Sequence, residues 1–178
     1  MQLGEDTITM SMTLNPVNEA AFQKAVQSLE TLNRAAVFHP TGTGKSCIAW
    51  KVVEAHPQTT FFWLVAGAQR LALRQAELTR YNGGTLPGNV RFCDCEKLAA
   101  ATPEQWVRLG EQKPGCIVLD CYHELSAVCW AQSVQKLLRM CPQAKVLGLG
   151  VPNGAPVCAA AQELFADCIV SHMTVAEA

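Results

Sequence analysis

The sequence predicts an α/β fold, a three-layer sandwich whose mostly parallel sheet is covered by helices on both faces. Three observations lead there. Six short apolar runs alternate with helical segments along the chain, and parallel strands require crossover connections of that kind. At 178 residues the chain is the size of one domain, long enough to bury about 70% of the surface its unfolded form would expose. No repeat, low-complexity tract or interdomain linker interrupts it; Gly83-Gly84, Lys113-Pro114-Gly115 and Pro152-Asn153-Gly154 read as turns inside a single domain.

The elements follow in order. Residues 1–14 are expected to be disordered or loosely docked, and the folded domain runs from 15 to 178. Asn15 and Pro16 open a helix whose apolar positions Ala20, Ala21, Phe22, Ala25, Val26 and Leu29 share one face and which ends near Asn33. Ala35 to Phe38 is a short apolar strand, and a helix from Ser46 to Glu54 follows it. Thr60 to Val65 is the next strand, Gln69 to Tyr81 a helix, and Asn89 to Cys93 a strand. Helices from Glu96 to Ala101 and Pro103 to Leu109 lead to the strand Cys116 to Leu119. The pattern closes with a helix from Ser126 to Met140, the strand Lys145 to Leu149, a helix from Pro156 to Phe165 and the strand Cys168 to Ser171.

Composition narrows the function classes. Hydrophobic residues make up 49% and charged residues 16%, with 14 basic against 15 acidic side chains, so no global field draws in a polyanion and any nucleic-acid contact must be local. The longest apolar stretches, such as Phe61 to Ala66 and Cys116 to Leu119, fall far short of the roughly 20 residues that span a bilayer. Glu5 and Asp6 stand where a secretory signal would be basic. A soluble, cytoplasmic protein is expected. The nine cysteines are scattered, with no CxxC pair and no histidine at ligand spacing, so most are read as small buried hydrophobes rather than as a zinc site or a disulfide framework.

The chemistry lies in His39-Pro40-Thr41-Gly42-Thr43-Gly44-Lys45-Ser46, which follows an apolar strand and precedes a helix. Glycines let the backbone curl so that successive N–H groups face phosphate oxygens, and the helix N-terminus adds partial positive charge. This P-loop assigns nucleotide binding to Thr41, Gly42, Thr43, Gly44, Lys45 and Ser46. Lys45 reaches the β and γ phosphates, and the Ser46 hydroxyl ligates Mg²⁺. The strict pattern has Gly where His39 stands. Ile117-Val118-Leu119-Asp120 is an apolar strand ending in the carboxylate that such sites use to hold Mg²⁺ through water, so Asp120 pairs with Ser46.

These residues resemble the first RecA-like motor domain of superfamily 2 helicases, the DEAD/DEAH-box group, over roughly Asn15 to Ala178. Pro40 to Ser46 is similar to motif I, and Asp120-Cys121-Tyr122-His123 sits where Asp-Glu-x-His is expected. His123 to Trp130 resembles the His-x-x-Gly-Ala-x-x-Trp of bacterial restriction-helicase-like members, and Lys145 to Leu149 the strand leading into motif III. Leu64-Val65 to Gln75 and Arg91 to Leu98 are similar to the family's segments that touch a nucleic-acid backbone.

The resemblance implies a RecA-like P-loop NTPase domain that binds ATP and Mg²⁺. It also marks two departures. Cys121 stands where the family has the Glu that deprotonates the attacking water, and Gly150-Val151-Pro152 where it has Ser-Ala-Thr. A thiol beside Asp120 and phosphates is a poor base, so hydrolysis is expected to be slow while binding survives. The alternative is a working ATPase in which Glu124 takes over as base. His123 either bridges toward the nucleotide, as the family's His does, or caps the strand. A second RecA-like domain, which closes over the nucleotide in the family, is expected to be absent here, with a separate second domain or partner subunit a possible source of it, so strand binding by this domain alone should be weak. A P-loop phosphotransferase fits less well, because Cys141 to Ala178 contains no Arg for a lid.

The remaining features read as structural. Arg70 and Arg74 form a solvated helix face. Phe61, Phe62, Trp63, Trp106 and Trp130 are core, the last two at helical spacing with Val107, Leu109 and Val134.

Overall fold

The computed structural model describes residues 12–152 and 158–178. The turn at Asn153-Gly154 and the start of the helix expected at Pro156 lie outside the described residues, as do residues 1–11. Strands β1 (Arg34–Phe38), β2 (Phe61–Val65), β3 (Val90–Asp94), β4 (Cys116–Asp120), β5 (Lys145–Gly150) and β6 (Ile169–His172) form one sheet in the order β3-β2-β4-β5-β1-β6. Every neighbouring pair is parallel. Helix α1 (Pro16–Thr31) precedes β1, and the crossovers are made by α2 (Lys45–Ala55), α3 (Ala68–Tyr81), α4 (Cys95–Ala99), α5 (Pro103–Glu111), α6 (Ala127–Cys129), α7 (Gln135–Met140) and α8 (Ala159–Phe165).

Strand side chains alternate across the sheet, and that alternation sorts the core into two layers. Ala35, Val37, Phe61, Trp63, Val65, Cys116, Val118, Leu147 and Leu149 pack against Ala21, Ala25 and Leu29 of α1, Ile48, Ala49 and Val52 of α2, and Leu78 of α3. Ala36, Phe62, Leu64, Ile117, Leu119 and Val146 pack on the other side against Trp106 of α5, Trp130, Leu137 of α7 and Phe165 of α8. The expected three-layer sandwich is therefore present, and the aromatic residues read as core are core. At Gly148 the bare strand receives the Phe165 ring so closely that a Cβ would stand 2.6 Å from it.

Local chemistry sets the boundaries. Asn15 caps α1 by accepting from the Asn18 amide, with Pro16 in the first turn. A reciprocal capping box between Thr102 and Gln105 starts α5.

Three expectations need correction. The single helix expected from Ser126 to Met140 is divided by a π-helical turn at Trp130–Val134; the widened turn carries the fully buried Ser133, whose hydroxyl donates to the Cys95 carbonyl at 2.7 Å. Val107 is exposed, so only Trp106 and Leu109 of that stretch turn inward. Of the cysteines, Cys93, Cys95, Cys116 and Cys141 are buried while Cys47, Cys121, Cys129, Cys158 and Cys168 are half-buried, all with free thiols. Burial pushes the Cys93 and Cys116 thiols up to about 12. Among the described residues no helix is long and apolar enough to cross a membrane.

Candidate functional site

β1 ends at Phe38, and the chain turns through His39 to Gly44 before α2 begins at Lys45. Gly42 and Gly44 take left-handed backbone at φ +84° and +90°, a conformation that costs glycine little. Gly44 is the N-cap of α2 and supplies no side-chain acceptor. The amide N–H groups of Gly42, Gly44, Lys45 and Ser46 find no acceptor among the described residues. They gather at the positive end of an 11-residue helix, the arrangement that binds anions.

The loop is held from two sides. Thr43 Oγ1 donates to the Pro40 carbonyl at 2.7 Å, and Asn18 of α1 donates Nδ2 to the Thr43 carbonyl at 2.8 Å. A Cβ on Gly44 would stand 2.8 Å from that same Nδ2.

His39 explains itself at a position where the strict pattern has glycine. Its ring is fully buried with Nε2 2.7 Å from Ser171 Oγ of β6, and its backbone N–H donates to Gly150 of β5 at 3.2 Å. Burial, followed by the charge of Lys45 and then His172, lowers its pKa. A neutral ring thus ties β6 to the end of β1 beneath the loop.

Lys45 is 9% exposed. Its Nζ donates to the carbonyls of His39 and Pro40, each at 2.7 Å. Burial lowers its pKa, Cys121 and Asp120 oppose that, and Arg74 adds to it.

Asp120 closes β4 and is 2% exposed. It projects into the layer of α1 to α3, where Oδ2 accepts from Trp63 Nε1 at 3.0 Å and from Arg74 Nε at 2.5 Å. Arg74 Nη2 reaches Oδ1 at 3.3 Å, and Nη1 holds Glu77 one turn further along α3.

Cys121 follows in left-handed backbone at φ +53°. Burial and then the neighbouring Asp120 carboxylate raise its pKa, against Arg70 and Arg74, so the thiol stays protonated at neutral pH.

His123 is 5% exposed. Nδ1 accepts from the Val151 amide at 3.3 Å, which places the proton on Nε2, 3.4 Å from Glu124 Oε1. Burial, then the charges of Lys45 and Arg70, lower its pKa. His123 therefore fastens the end of β4 to the residue just beyond β5. Glu124 is paired with Arg70.

A cleft of about 420 Å³ joins these groups. It brings Thr41, Gly42, Gly44, Lys45 and Ser46 together with Asp120 and Cys121; Thr43 and His123 do not line it. Cys47 of α2, Arg74, Glu77 and Tyr81 of α3, and Val151 beyond β5 complete the wall. Cys47 donates its thiol to the Tyr81 hydroxyl at 3.4 Å.

The reading of Arg74 as part of a solvated face is overturned, because its side chain is only 20% exposed and lies against Asp120. The spacing Arg70, Arg74, Glu77, Tyr81 is one polar stripe on a helix, and that stripe was the signal in the sequence for this wall. Trp63 is core, as expected, and in addition a hydrogen-bond donor to the site.

The donor set suits a hard cation. The Ser46 hydroxyl and the Asp120 carboxylate share the cleft, and oxygen ligands of this type favour Mg²⁺. No cluster of three or more His, Cys, Asp or Glu side chains able to hold a metal occurs among the described residues. A cation here would rely on one carboxylate, one hydroxyl and oxygens of its own ligand.

No family model matches the chain, and neither does any curated protein sequence. Among solved structures it is similar to an ATP-dependent Type ISP restriction-modification enzyme, LlaBIII, bound to DNA, with a TM-score of 0.55 and 14% identity. The match covers 78% of this chain and 13% of that one, so this chain spans a small part of that enzyme's length. The likeness is one of fold.

Proposed function

We propose that this chain is a nucleotide-binding domain of the helicase motor type, which takes ATP with Mg²⁺ in the cleft between α2 and α3 and hydrolyses it slowly. The observation carrying this reading is the set of unpaired amides from Gly42 to Ser46 at the start of α2, facing one cleft with Lys45 and Asp120. Those amides cradle the phosphate chain. Lys45, on four rotatable bonds, exchanges the carbonyls of His39 and Pro40 for phosphate oxygens, a charge-assisted contact. Ser46 and Asp120 hold the metal, which when bound supplies charge neutralisation at the phosphates.

Cys121 occupies the water-activating position with a protonated thiol and provides no base. Glu124, the alternative base, is engaged with Arg70 and does not line the cleft. The structural neighbour is bound to DNA, which supports a nucleic-acid strand as the partner. A second RecA-like domain or partner subunit supplies the opposite wall.

Calorimetric titration with ATP and Mg²⁺ tests the reading. Binding by the natural chain and its loss in Lys45→Ala are expected; equal heats from both proteins would refute the phosphate-loop assignment.

A further inference from the structure

The Asp120 carboxylate already has a cation. Arg74 grips it through two nitrogens, Nε at 2.5 Å and Nη2 at 3.3 Å, while Trp63 Nε1 occupies a further lone-pair direction of Oδ2 at 3.0 Å. With the group 2% exposed and Oδ2 taken by both shorter bonds, a metal ion or a metal-bound water reaching the carboxylate from the cleft meets the guanidinium on each oxygen. The guanidinium, by contrast, is held at both ends. Its remaining nitrogen pairs with Glu77, which is 38% exposed and sits on the same helix, so Arg74 keeps a carboxylate partner even if it leaves Asp120. α3 is also the least buried of the three longest helices, with Leu78 its sole fully buried residue.

From this we infer that Arg74 is the resident counter-ion of Asp120 and competes with the divalent cation for it, so that the site admits its metal only in exchange for a guanidinium swung onto Glu77. The inference rests on the Mg²⁺ role proposed for Asp120. It goes further by making metal entry a regulated step, since whatever draws Arg74 away, a bound phosphate chain included, opens the carboxylate. Coupling of this sort follows from differential binding of two cations to one anion.

The contact between Trp63 and Asp120 supplies the probe. A lanthanide at Asp120 lies against an indole, so Tb³⁺ emission excited through tryptophan reports occupancy of that carboxylate without nucleotide or turnover. Titrations of Tb³⁺ alone, competed with Mg²⁺, are made on the natural chain, Arg74→Gln and Arg74→Lys, with Trp63→Phe and Asp120→Asn to assign the signal.

Half-saturation of Arg74→Gln at about fivefold or more lower metal is expected, the lower end of ordinary coupling between ligands. Arg74→Lys, a single point charge without the two-nitrogen grip, should fall between the two. Equal or weaker metal binding by Arg74→Gln overturns the inference, as does emission indifferent to Asp120→Asn. If Arg74→Gln does not fold, Arg74→Lys decides alone, and a titration matching the natural chain counts against exchange. Because no nucleotide is present, these results stand apart from the Lys45→Ala calorimetry, and either idea can fail without the other.

Discussion

Asn18 and Thr43 are 25 residues apart in the chain and joined by one hydrogen bond, Nδ2 to carbonyl at 2.8 Å, that docks the start of α1 on the crest of the phosphate loop. Asn18 is itself 4% exposed and sits one turn into α1, its backbone amide taken by the Asn15 cap. The loop's curvature is therefore fixed from outside as well as by its glycines.

Asn18→Ala should lower stability by about 1 kcal/mol, the usual net value of one such bond, and weaken ATP affinity by more than that loss alone explains. Denaturant unfolding and calorimetry on the same preparation separate the two effects. Gly44→Ala is expected to cost about 1–3 kcal/mol from its left-handed backbone plus the contact with Asn18. The double variant should recover the contact part only.

Cys121→Glu should raise ATP turnover by about 10² to 10⁴, the range of general-base assistance. The backbone penalty at φ +53° is already borne by Cys, so the exchange adds little strain. Phosphate release against a Lys45→Ala background measures it, and an unchanged rate would mean that a base outside this position serves.

Acid should destabilise the protein through His39 and His123. Both are held below the ordinary histidine value of 6.5 by burial first and by neighbouring cations second. Between that value and the depressed native one the unfolded chain binds more protons, so stability is complete above about pH 6.5 and declines as pH falls. Each group contributes a slope of at most about 1.4 kcal/mol per pH unit. Melting temperatures from pH 7.5 downward give the curve; His123→Gln should make it shallower, and a flat profile for the natural chain would contradict the account.

Strand binding by the chain alone should be weak and quickly lost with salt. Arg70 is engaged by Glu124, Arg74 by Asp120 and Glu77, and Arg91 donates to the Gly88 carbonyl, so these arginines are committed within the chain rather than free for phosphates, the main source of non-specific affinity. Fluorescence anisotropy with labelled oligonucleotides tests this. Tight, salt-resistant binding would show that these arginines leave their partners readily.

The sheet was legible because most of its strands are short apolar runs, and the loop because glycines, Lys45 and Ser46 sit in a strand-to-helix context. Asp120 was legible as the polar end of such a run. The α3 wall was not, since Arg74 and Tyr81 belong to an amphipathic pattern that serves equally for a wet face, and only packing against β4 distinguishes the two. The tie from Asn18 was hidden for another reason: a bond spanning 25 residues leaves no periodic trace. The π-turn at Trp130 is likewise invisible, because one extra residue in a turn barely alters the spacing of apolar positions.

The two-layer sorting of the strands carries a consequence for how this domain can change. Asp120 meets Trp63 and Arg74 only because it has the same parity as Cys116 and Val118, the residues of β4 that point toward α2. Inserting or deleting a single residue within β4 would swap its inward and outward sets and aim the carboxylate at α5 and Trp106 instead. Length changes in that strand are thus tolerable only in twos, whereas a change at the turn Gly83-Gly84, outside the sheet, leaves that parity untouched. The pleat acts as a frame, and a shift of that frame erases the site and the core together.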